Sequence, residues 1–201
     1  MIISMGKKKI GSNNPCFIVF EAGPTHNGFD SALNLCKIAK GAGADAIKFQ
    51  IIDPERIIKD RKQKFSFDIL INKNTGLSKT IEKPLYDLLK KRSFSFDEWR
   101  KIKIFCDDID LLFFATAGFE DEVDFLADIG CQSIKIASAD VNHYPLIRHA
   151  AKTGITLQLD TGNSTISEIN NAINLIKNSN NNNIIVHHCP SGYPAKPENV
   201  N

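Results

Sequence analysis

The sequence predicts an α/β fold with a parallel sheet, on two observations. Short apolar runs typical of strands recur along the 201-residue chain, and most segments between them carry apolar residues at helical spacing. Strands that alternate with helices favour parallel pairing through helical crossovers. Polar side chains also stand where the apolar runs end, which is where ligands bind in this fold class.

Six strands are predicted, with starts near residues 17, 46, 111, 133, 156 and 183. Successive starts are 29, 65, 22, 23 and 27 residues apart, so the second unit carries an insertion over about 53–94. The insertion contains a basic stretch from Lys59 to Lys64 and a short helical run. Two interpretations remain open for it, a solvated surface loop or a lid over a site.

Caps and stops mark five helices between the strands. The first covers residues 30–42 and ends at glycines. Ser95 with Glu98, and Thr165 with Glu168, match the capping-box pattern that opens a helix. Two further helices end at glycines, so nearly every pair of strands has a crossover helix between its members.

The residues leave two α/β architectures open. A doubly wound dinucleotide-binding sheet normally has GxGxxG after its first strand, whereas EAGPTHNG stands here. Units of this length suit a (β/α)8 barrel equally well, but eight units with the insertion need roughly 250 residues or more. Only about six units can be counted.

Composition and charge exclude several functions. The 25 Lys and Arg residues against 23 Asp and Glu give a net charge of +2, which argues against a nucleic-acid partner. The apolar stretches are too short for a membrane span, and the N-terminus lacks a secretory signal pattern. Five widely spaced cysteines without a CxxC predict free thiols in a reducing compartment. We therefore expect a cytoplasmic protein.

Two lysines are the most informative polar residues. Lys48 and Lys135 each lie inside a short apolar strand, where an ammonium is costly to bury unless an anion compensates it. Lys48 shares a strand face with Gln50, and Lys135 lies three residues before Ser138. The two lysines together predict a bound phosphate or carboxylate. The alternative is structural pairing with a carboxylate such as Glu21, which itself fits a structural or a catalytic role.

Three histidines give weaker signals. His26 lies in a predicted loop and fits either a ligand-facing group or a turn residue. His187 and His188 are adjacent on the last strand and point to opposite faces, so without a third ligand they are a weak metal signal. Satisfied core histidines are the favoured interpretation for this pair.

Six motifs follow one another from about Phe17 to the last residue: FEAGPTHNG, AGADAIKFQ, FFATAGFEDEVDFL, KIAS, DTGNST and HHCPSGYPAKPENVN. In this order they resemble the motifs of the sialic acid synthase (N-acetylneuraminate synthase) family. Members of that family are (β/α)8 TIM barrels. The resemblance therefore implies that 1–201 is a single, partial barrel domain, apparently truncated, with its insertion at about 53–94.

The resemblance also implies a transferase that condenses phosphoenolpyruvate with an N-acetylmannosamine-like sugar, forming a sialic-acid-type nonulosonate and releasing phosphate. Members use a divalent metal, usually Mn, which polarises the sugar aldehyde. The family's metal-binding histidines lie on strands seven and eight, so we expect the ligands beyond Asn201, assign no residue of this chain to the metal, and expect the chain alone to be inactive. An open sheet exposes two edges, which favours a homo-oligomer.

Residue roles follow from the same resemblance. Glu21 matches a carboxylate near the reacting carbons, where it would stabilise developing positive charge or deprotonate the attacking water. Gln50 and Tyr193 would contact the sugar. The residues expected to contact phosphoenolpyruvate are Lys48, Thr116, Lys135, Ser138 and Ser191.

Two departures from the family pattern bear on function. Thr25 replaces an asparagine and can keep a hydrogen-bonding role. Asp160 replaces a serine that faces the phosphate, and a carboxylate there repels phosphate unless a metal or lysine intervenes. Two other functions stay open, another phosphoenolpyruvate-dependent aldol-type synthase such as the ketodeoxy-octulosonate phosphate class, and a non-catalytic, degenerate barrel module.

Overall fold

The computed structural model describes residues 2–190, 198 and 200. In chain order, the strands of these residues are β1 (Ile3–Met5), β2 (Lys8–Ile10), β3 (Val19–Gly23), β4 (Ala46–Gln50), β5 (Lys64–Asn72), β6 (Leu77–Pro84), β7 (Leu112–Thr116), β8 (Ser133–Ile136), β9 (Thr156–Asp160) and β10 (Ile184–His187). The helices are α1 (Phe29–Gly41), α2 (Pro54–Ile57), α3 (Leu85–Lys90), α4 (Phe96–Asp108), α5 (Glu120–Asp128), α6 (Tyr144–Lys152) and α7 (Ile166–Asn178).

Six strands form one parallel sheet in the order β10-β9-β8-β7-β4-β3. This spatial order follows the chain without a reversal, whereas a doubly wound sheet reverses its order at a switch point. The sheet therefore curls into a half-barrel. The predicted α/β class and the barrel type are both confirmed, and all six predicted strands are present within a few residues of their expected bounds.

The two faces of the sheet differ because side chains alternate along each strand. Ile47, Phe49 and Phe113 point outward and are fully or almost fully buried under the helices, in one core shared by all six main strands. On the other face, Lys48 aligns with Phe114 of the next strand. The concave face therefore carries polar groups towards the carboxyl ends of the strands, which is the end that positions a site.

Helix starts agree with the predicted caps. In α4 and α7, the Ser95 and Thr165 side chains accept hydrogen bonds from the backbone N–H groups of Glu98 and Glu168, and each glutamate carboxylate accepts one in return. These bonds satisfy backbone donors that the first helical turn leaves free. Both capping boxes are thereby confirmed.

Two antiparallel hairpins were not predicted. In the insertion, β5 pairs with β6, so residues 64–84 form strands that the surface-loop interpretation did not include, although their exposure agrees with it, and the lid interpretation stays a prediction. Although most of the hairpin is exposed, β5 carries a strand signal that the interpretation of the insertion overlooked, since apolar residues alternate along it at Phe65, Phe67, Ile69 and Ile71. The second hairpin, β1 with β2, packs Met5 against Ala46 and Phe114 and covers the concave face at the amino ends of the strands.

All five cysteines are free thiols, as predicted. In the described part of the chain, no helix combines the length and the apolar character needed to cross a bilayer.

Candidate active site

Two buried lysines lie on the concave face of the half-barrel. Lys48 on β4 is 1% exposed and Lys135 on β8 is 9% exposed, so the predicted burial of both is confirmed. Their strands flank β7, whose Thr116 pairs in register with Lys135 and with Gln50. The strand order thus brings together residues that are far apart in the chain.

Lys48 forms an ion pair with Glu21. Its Nζ donates to Glu21 Oε1 at 3.1 Å, and the Glu21 side chain is mostly exposed. Burial and the nearby Lys135 ammonium lower the pKa of Lys48 to about 8, although Glu21 offsets part of this effect. Gly23 has a positive φ, and a Cβ at this position would lie 3.1 Å from Glu21 Oε1, so glycine leaves room for the carboxylate.

Lys135 pairs with Asp160, the residue that replaces serine in the family pattern. Its Nζ contacts Asp160 Oδ2. Burial lowers the pKa of Lys135, but the contact with Asp160 outweighs it and the pKa is raised. Burial raises the pKa of Asp160, yet His187 and Lys135 hold it well below its ordinary value. The negative charge of Asp160, which would repel a phosphate, is therefore compensated by a lysine. Both buried lysines pair with carboxylates, as expected if their role is structural.

Thr116 carries a hydroxyl with no protein partner. Its Oγ is buried and makes no hydrogen bond within the described residues. A buried hydroxyl without a partner is costly, so each such group needs an explanation, and a ligand is one. Ser138 opens a short 3₁₀ turn just past the carboxyl end of β8.

A cleft of about 380 Å³ lies beside these groups, lined by residues 21–25 and Gln50. Thr25 lines this cleft, but its hydroxyl is already used: Oγ1 donates to the Ala22 carbonyl at 2.7 Å and closes the turn after β3. The sequence-predicted contacts Ser191 and Tyr193 lie outside the described residues.

His26 fits neither of its predicted roles. It is fully buried, and its ring stacks on Phe94 at 4.5 Å between centroids and meets the edge of Trp99. Neither ring nitrogen has a hydrogen-bond partner among the described residues. Burial, followed by the charge of Arg92, lowers the pKa of His26 to about 4. Sequence reasoning missed this because Phe94 comes from the far end of the insertion.

The histidine pair on β10 is not in the core. His188 is exposed and His187 is about a third exposed, since β10 is the last strand of the described sheet. The favoured core interpretation is therefore wrong. His187 pairs in register with Asp160, and Cys189 follows two residues later, so three potential metal ligands come together at His187, whereas His188 is not among them.

This cluster is a poor match for Mn, the metal that the resemblance implies. It contains a thiol, whereas Mn prefers oxygen ligands. Adjacency of the last two strands was the signal that could have revealed it, because Asp160 and His187 each end a strand.

The insertion is fixed to α5 by Arg56, a residue that the motifs did not single out. Its guanidinium binds Asp53 at 2.9 Å, Asp121 at 2.8 Å and the buried Glu122 at 3.2 Å. It also lies over the ring of Phe119, 3.7 Å from the centroid. The contact clamps the start of the insertion beside the carboxyl ends of β4 and β7.

Comparison with known proteins places this geometry in a family. A protein of Methanocaldococcus jannaschii, named as uncharacterized, is 34% identical over 200 residues, which cover 99% of this chain and 53% of that protein. The N,N'-diacetyllegionaminic acid synthase of Legionella pneumophila is 30% identical over 201 residues, covering 98% and 54%. The chain thus spans about half the length of these relatives.

A solved structure agrees with the sequence comparison. The sialic acid synthetase of Leptospira borgpetersenii, determined in complex with citrate, superimposes with a TM-score of 0.84 at 31% identity, over 100% of this chain and 63% of that chain. The model of the NeuB family matches residues 35–201. The resemblance drawn from the six motifs is therefore confirmed, and the chain belongs to the NeuB family.

Proposed function

We propose that the concave site binds phosphoenolpyruvate and that the protein condenses it with an N-acetylated amino sugar, giving a sialic-acid-type nonulosonate and phosphate. The single observation that carries this proposal is the convergence of two buried lysines with the unpartnered Thr116 hydroxyl at the carboxyl ends of adjacent strands. Membership of a family with sialic-acid-type synthases among its relatives supports it.

Substrate binding would exploit charges that are already paired. Phosphoenolpyruvate is a small anion with several charges, and Lys48 and Lys135 can turn from Glu21 and Asp160 towards its phosphate and carboxylate. Thr116 and Ser138 supply hydroxyl donors. An anion beside Lys48 also stabilises its ammonium form, which burial and Lys135 otherwise disfavour.

In the condensation, the methylene carbon of phosphoenolpyruvate forms a bond to the aldehyde carbon of the open-chain sugar. The aldehyde π electrons move to its oxygen, which takes up a proton and becomes a hydroxyl, while positive charge develops at the carbon that bears phosphate. Glu21 stabilises this charge or takes a proton from the water that attacks the same carbon. Phosphate then leaves with the bridging oxygen. The two lysines hold the phosphate so that the methylene carbon lies next to the aldehyde carbon, and Gln50 contacts the sugar.

The domain assignment remains part of the proposal: residues 1–201 form one partial synthase barrel with an insertion at about 53–94. Because the donor set of the described residues does not fit Mn, each step above involves only side chains of this chain.

A second candidate is a non-catalytic barrel module. It is favoured by the two ion pairs, because Lys48 and Lys135 are compensated without any ligand. Such a module should bind no phosphoenolpyruvate.

Calorimetric titration with phosphoenolpyruvate separates the two candidates. We expect binding to the chain, and its loss in Lys48→Met and Lys135→Met. Lys103→Met is the matched control, because Lys103 is also largely covered but pairs with Asp107 on α4, away from the site. Circular dichroism of each variant checks folding. Absence of binding to the parent would support the module instead, and equal binding by all variants would contradict a phosphoenolpyruvate site at Lys48 and Lys135.

Condensation is measured as phosphate release by the full-length gene product with phosphoenolpyruvate, Mn²⁺ and a panel of N-acetylated hexosamines. Release with one of them is expected. Preference for a phosphorylated aldose would point to the ketodeoxy-octulosonate phosphate class, and no release with any acceptor would rule out the synthase.

A further inference from the structure

A group of three metal-ligating side chains lies at the carboxyl ends of β9 and β10. Asp160 ends β9, its register partner His187 ends β10, and Cys189 follows it. One carboxylate oxygen, one ring nitrogen and the sulfur lie within 4.8 Å of one another. Within the described residues, no other set of three such side chains comes this close.

The carboxylate has a free oxygen on the side of this group. Asp160 Oδ2 is taken by Lys135, but Oδ1 is buried and accepts no hydrogen bond within the described residues. Oδ1 has an ion-pair contact with His187 Nδ1 at 3.3 Å, which does not count as a hydrogen bond. Buried carboxylate oxygens normally have donors, so this one is explained if a cation occupies the space.

The spacing suits a small tetrahedral ion. Zinc bonds of about 2.0 to 2.3 Å place neighbouring ligand atoms roughly 3.3 to 3.8 Å apart. The separation of Asp160 Oδ1 from His187 Nδ1, 3.3 Å, already has this value, and the sulfur lies within 4.8 Å of the other two ligand atoms.

Surrounding groups hold the ligands in place, as the outer shell of a metal site does. Lys135 orients the carboxylate through Oδ2. The Thr161 hydroxyl donates to the His187 carbonyl at 2.7 Å and fixes the backbone that carries the imidazole and, two residues on, the thiol.

We propose that Asp160, His187 and Cys189 bind a zinc-class divalent cation. The Asp160 carboxylate, whose other oxygen contacts the Lys135 ammonium, and the Cys189 thiolate supply the negative charge at the site, and the thiolate selects zinc over harder cations such as Mn²⁺ and Mg²⁺. Three protein ligands leave a fourth position for water or a substrate oxygen. The proposal concerns residues that the resemblance does not assign to a metal, and it does not depend on phosphoenolpyruvate binding.

Cobalt substitution tests the site directly. Titration of the metal-free chain with Co²⁺ should give a thiolate-to-cobalt charge-transfer band that one equivalent of Zn²⁺ abolishes. Cys189→Ser should remove the band, and His187→Gln and Asp160→Ser should each weaken Co²⁺ affinity at least about tenfold, as expected from the 10 to 100-fold cost of losing even an outer-shell partner.

Two matched controls complete the experiment. His188→Gln changes the exposed neighbouring histidine, and Cys16→Ser changes an exposed cysteine far from the site, so both should leave the band unchanged. Loss of the band in Cys16→Ser, its persistence in Cys189→Ser, or its absence from the parent would overturn the proposal. Lys48→Met serves as a further check, because it should lose phosphoenolpyruvate binding and keep the band.

Discussion

At the scale of single residues, the concave face is defined by which buried polar groups have partners. Lys48 and Lys135 are compensated by carboxylates, whereas the Thr116 hydroxyl is not. Burying a polar group without a partner costs stability, so an unpartnered group can be retained for ligand binding. His26 is a second unpartnered group, but its surroundings are aromatic, and its contribution is to packing.

Thr116→Val distinguishes a binding role from a structural one. Valine has the same shape and removes a hydroxyl that has no hydrogen-bond partner within residues 2–190, so the free energy of unfolding should stay the same or rise slightly. Phosphoenolpyruvate affinity should fall several-fold because one donor is lost. Denaturant unfolding and calorimetry measure the two effects. A large loss of stability with unchanged affinity would contradict the assignment.

His26 predicts a dependence of stability on pH. In the unfolded chain it takes up a proton below about pH 6.5, whereas in the folded protein it stays neutral down to about pH 4. Between pH 6.5 and about pH 4 the unfolded state therefore binds more protons than the folded state. The contribution of neutral His26 to the free energy of unfolding is fully present above pH 6.5, and it decreases by roughly 3 kcal/mol as the pH falls to about 4. Urea unfolding at several pH values measures this loss.

His26→Phe is the control for that measurement. Phenylalanine keeps the stacking on Phe94 and loses no hydrogen bond, since the ring nitrogens have none. The variant should remain folded, and its free energy of unfolding should no longer show the decrease between pH 6.5 and about pH 4 that His26 causes. Identical pH profiles for parent and variant would show that His26 does not cause the loss.

At the scale of elements, local signals predicted what local interactions build. Caps at Ser95 and Thr165 and glycine stops define their helices because these bonds form within one turn. The position of the insertion could not be predicted in this way. Its hairpin is exposed, and the insertion is attached through the contact of Arg56 with Asp121 on α5, 65 residues further along the chain. Burial raises the pKa of Glu122, at this contact, to about 7.

Arg56→Ala should loosen the insertion without unfolding the protein. The ion pairs of Arg56 with the partly exposed Asp53 and Asp121 contribute about 1 kcal/mol or less each. The buried Glu122 keeps the hydrogen bonds that backbone N–H groups donate to it, but together the three pairs hold α2 against α5. Amide hydrogen exchange over residues 53–90 should accelerate, and the half-barrel should keep its protection. Arg100→Ala is the matched control, because Arg100 pairs with Asp128 and joins two helices outside the insertion. Equally faster exchange of residues 53–90 in both variants would contradict the role of Arg56 in holding the insertion against α5.

At the scale of the whole molecule, the described half-barrel has two open edges, at β3 and β10. Strands at such edges present unpaired backbone groups that can bind another chain. The expected homo-oligomer, like the expected cytoplasmic location, remains a prediction.

Val186→Lys tests the edge at β10. Val186 is 45% exposed there, and a lysine on an edge strand opposes pairing, so concentration-dependent self-association should decrease. Light scattering after size-exclusion chromatography measures the mass. Ile166→Lys changes a more exposed apolar residue at the start of α7 and should have no effect. A parent chain that stays monomeric at all concentrations would contradict the prediction.

Local patterns in the sequence were enough to predict the α/β class, the six strands, the capped helices and the burial of Lys48 and Lys135, because periodicity, caps and apolar neighbours are local properties. The folded structure was needed to show which carboxylate meets which lysine, that His26 lies among aromatic rings, and that Asp160, His187 and Cys189 form one cluster. These contacts join residues tens of positions apart, and their geometry depends on strand order and on the curl of the sheet, which no local pattern encodes.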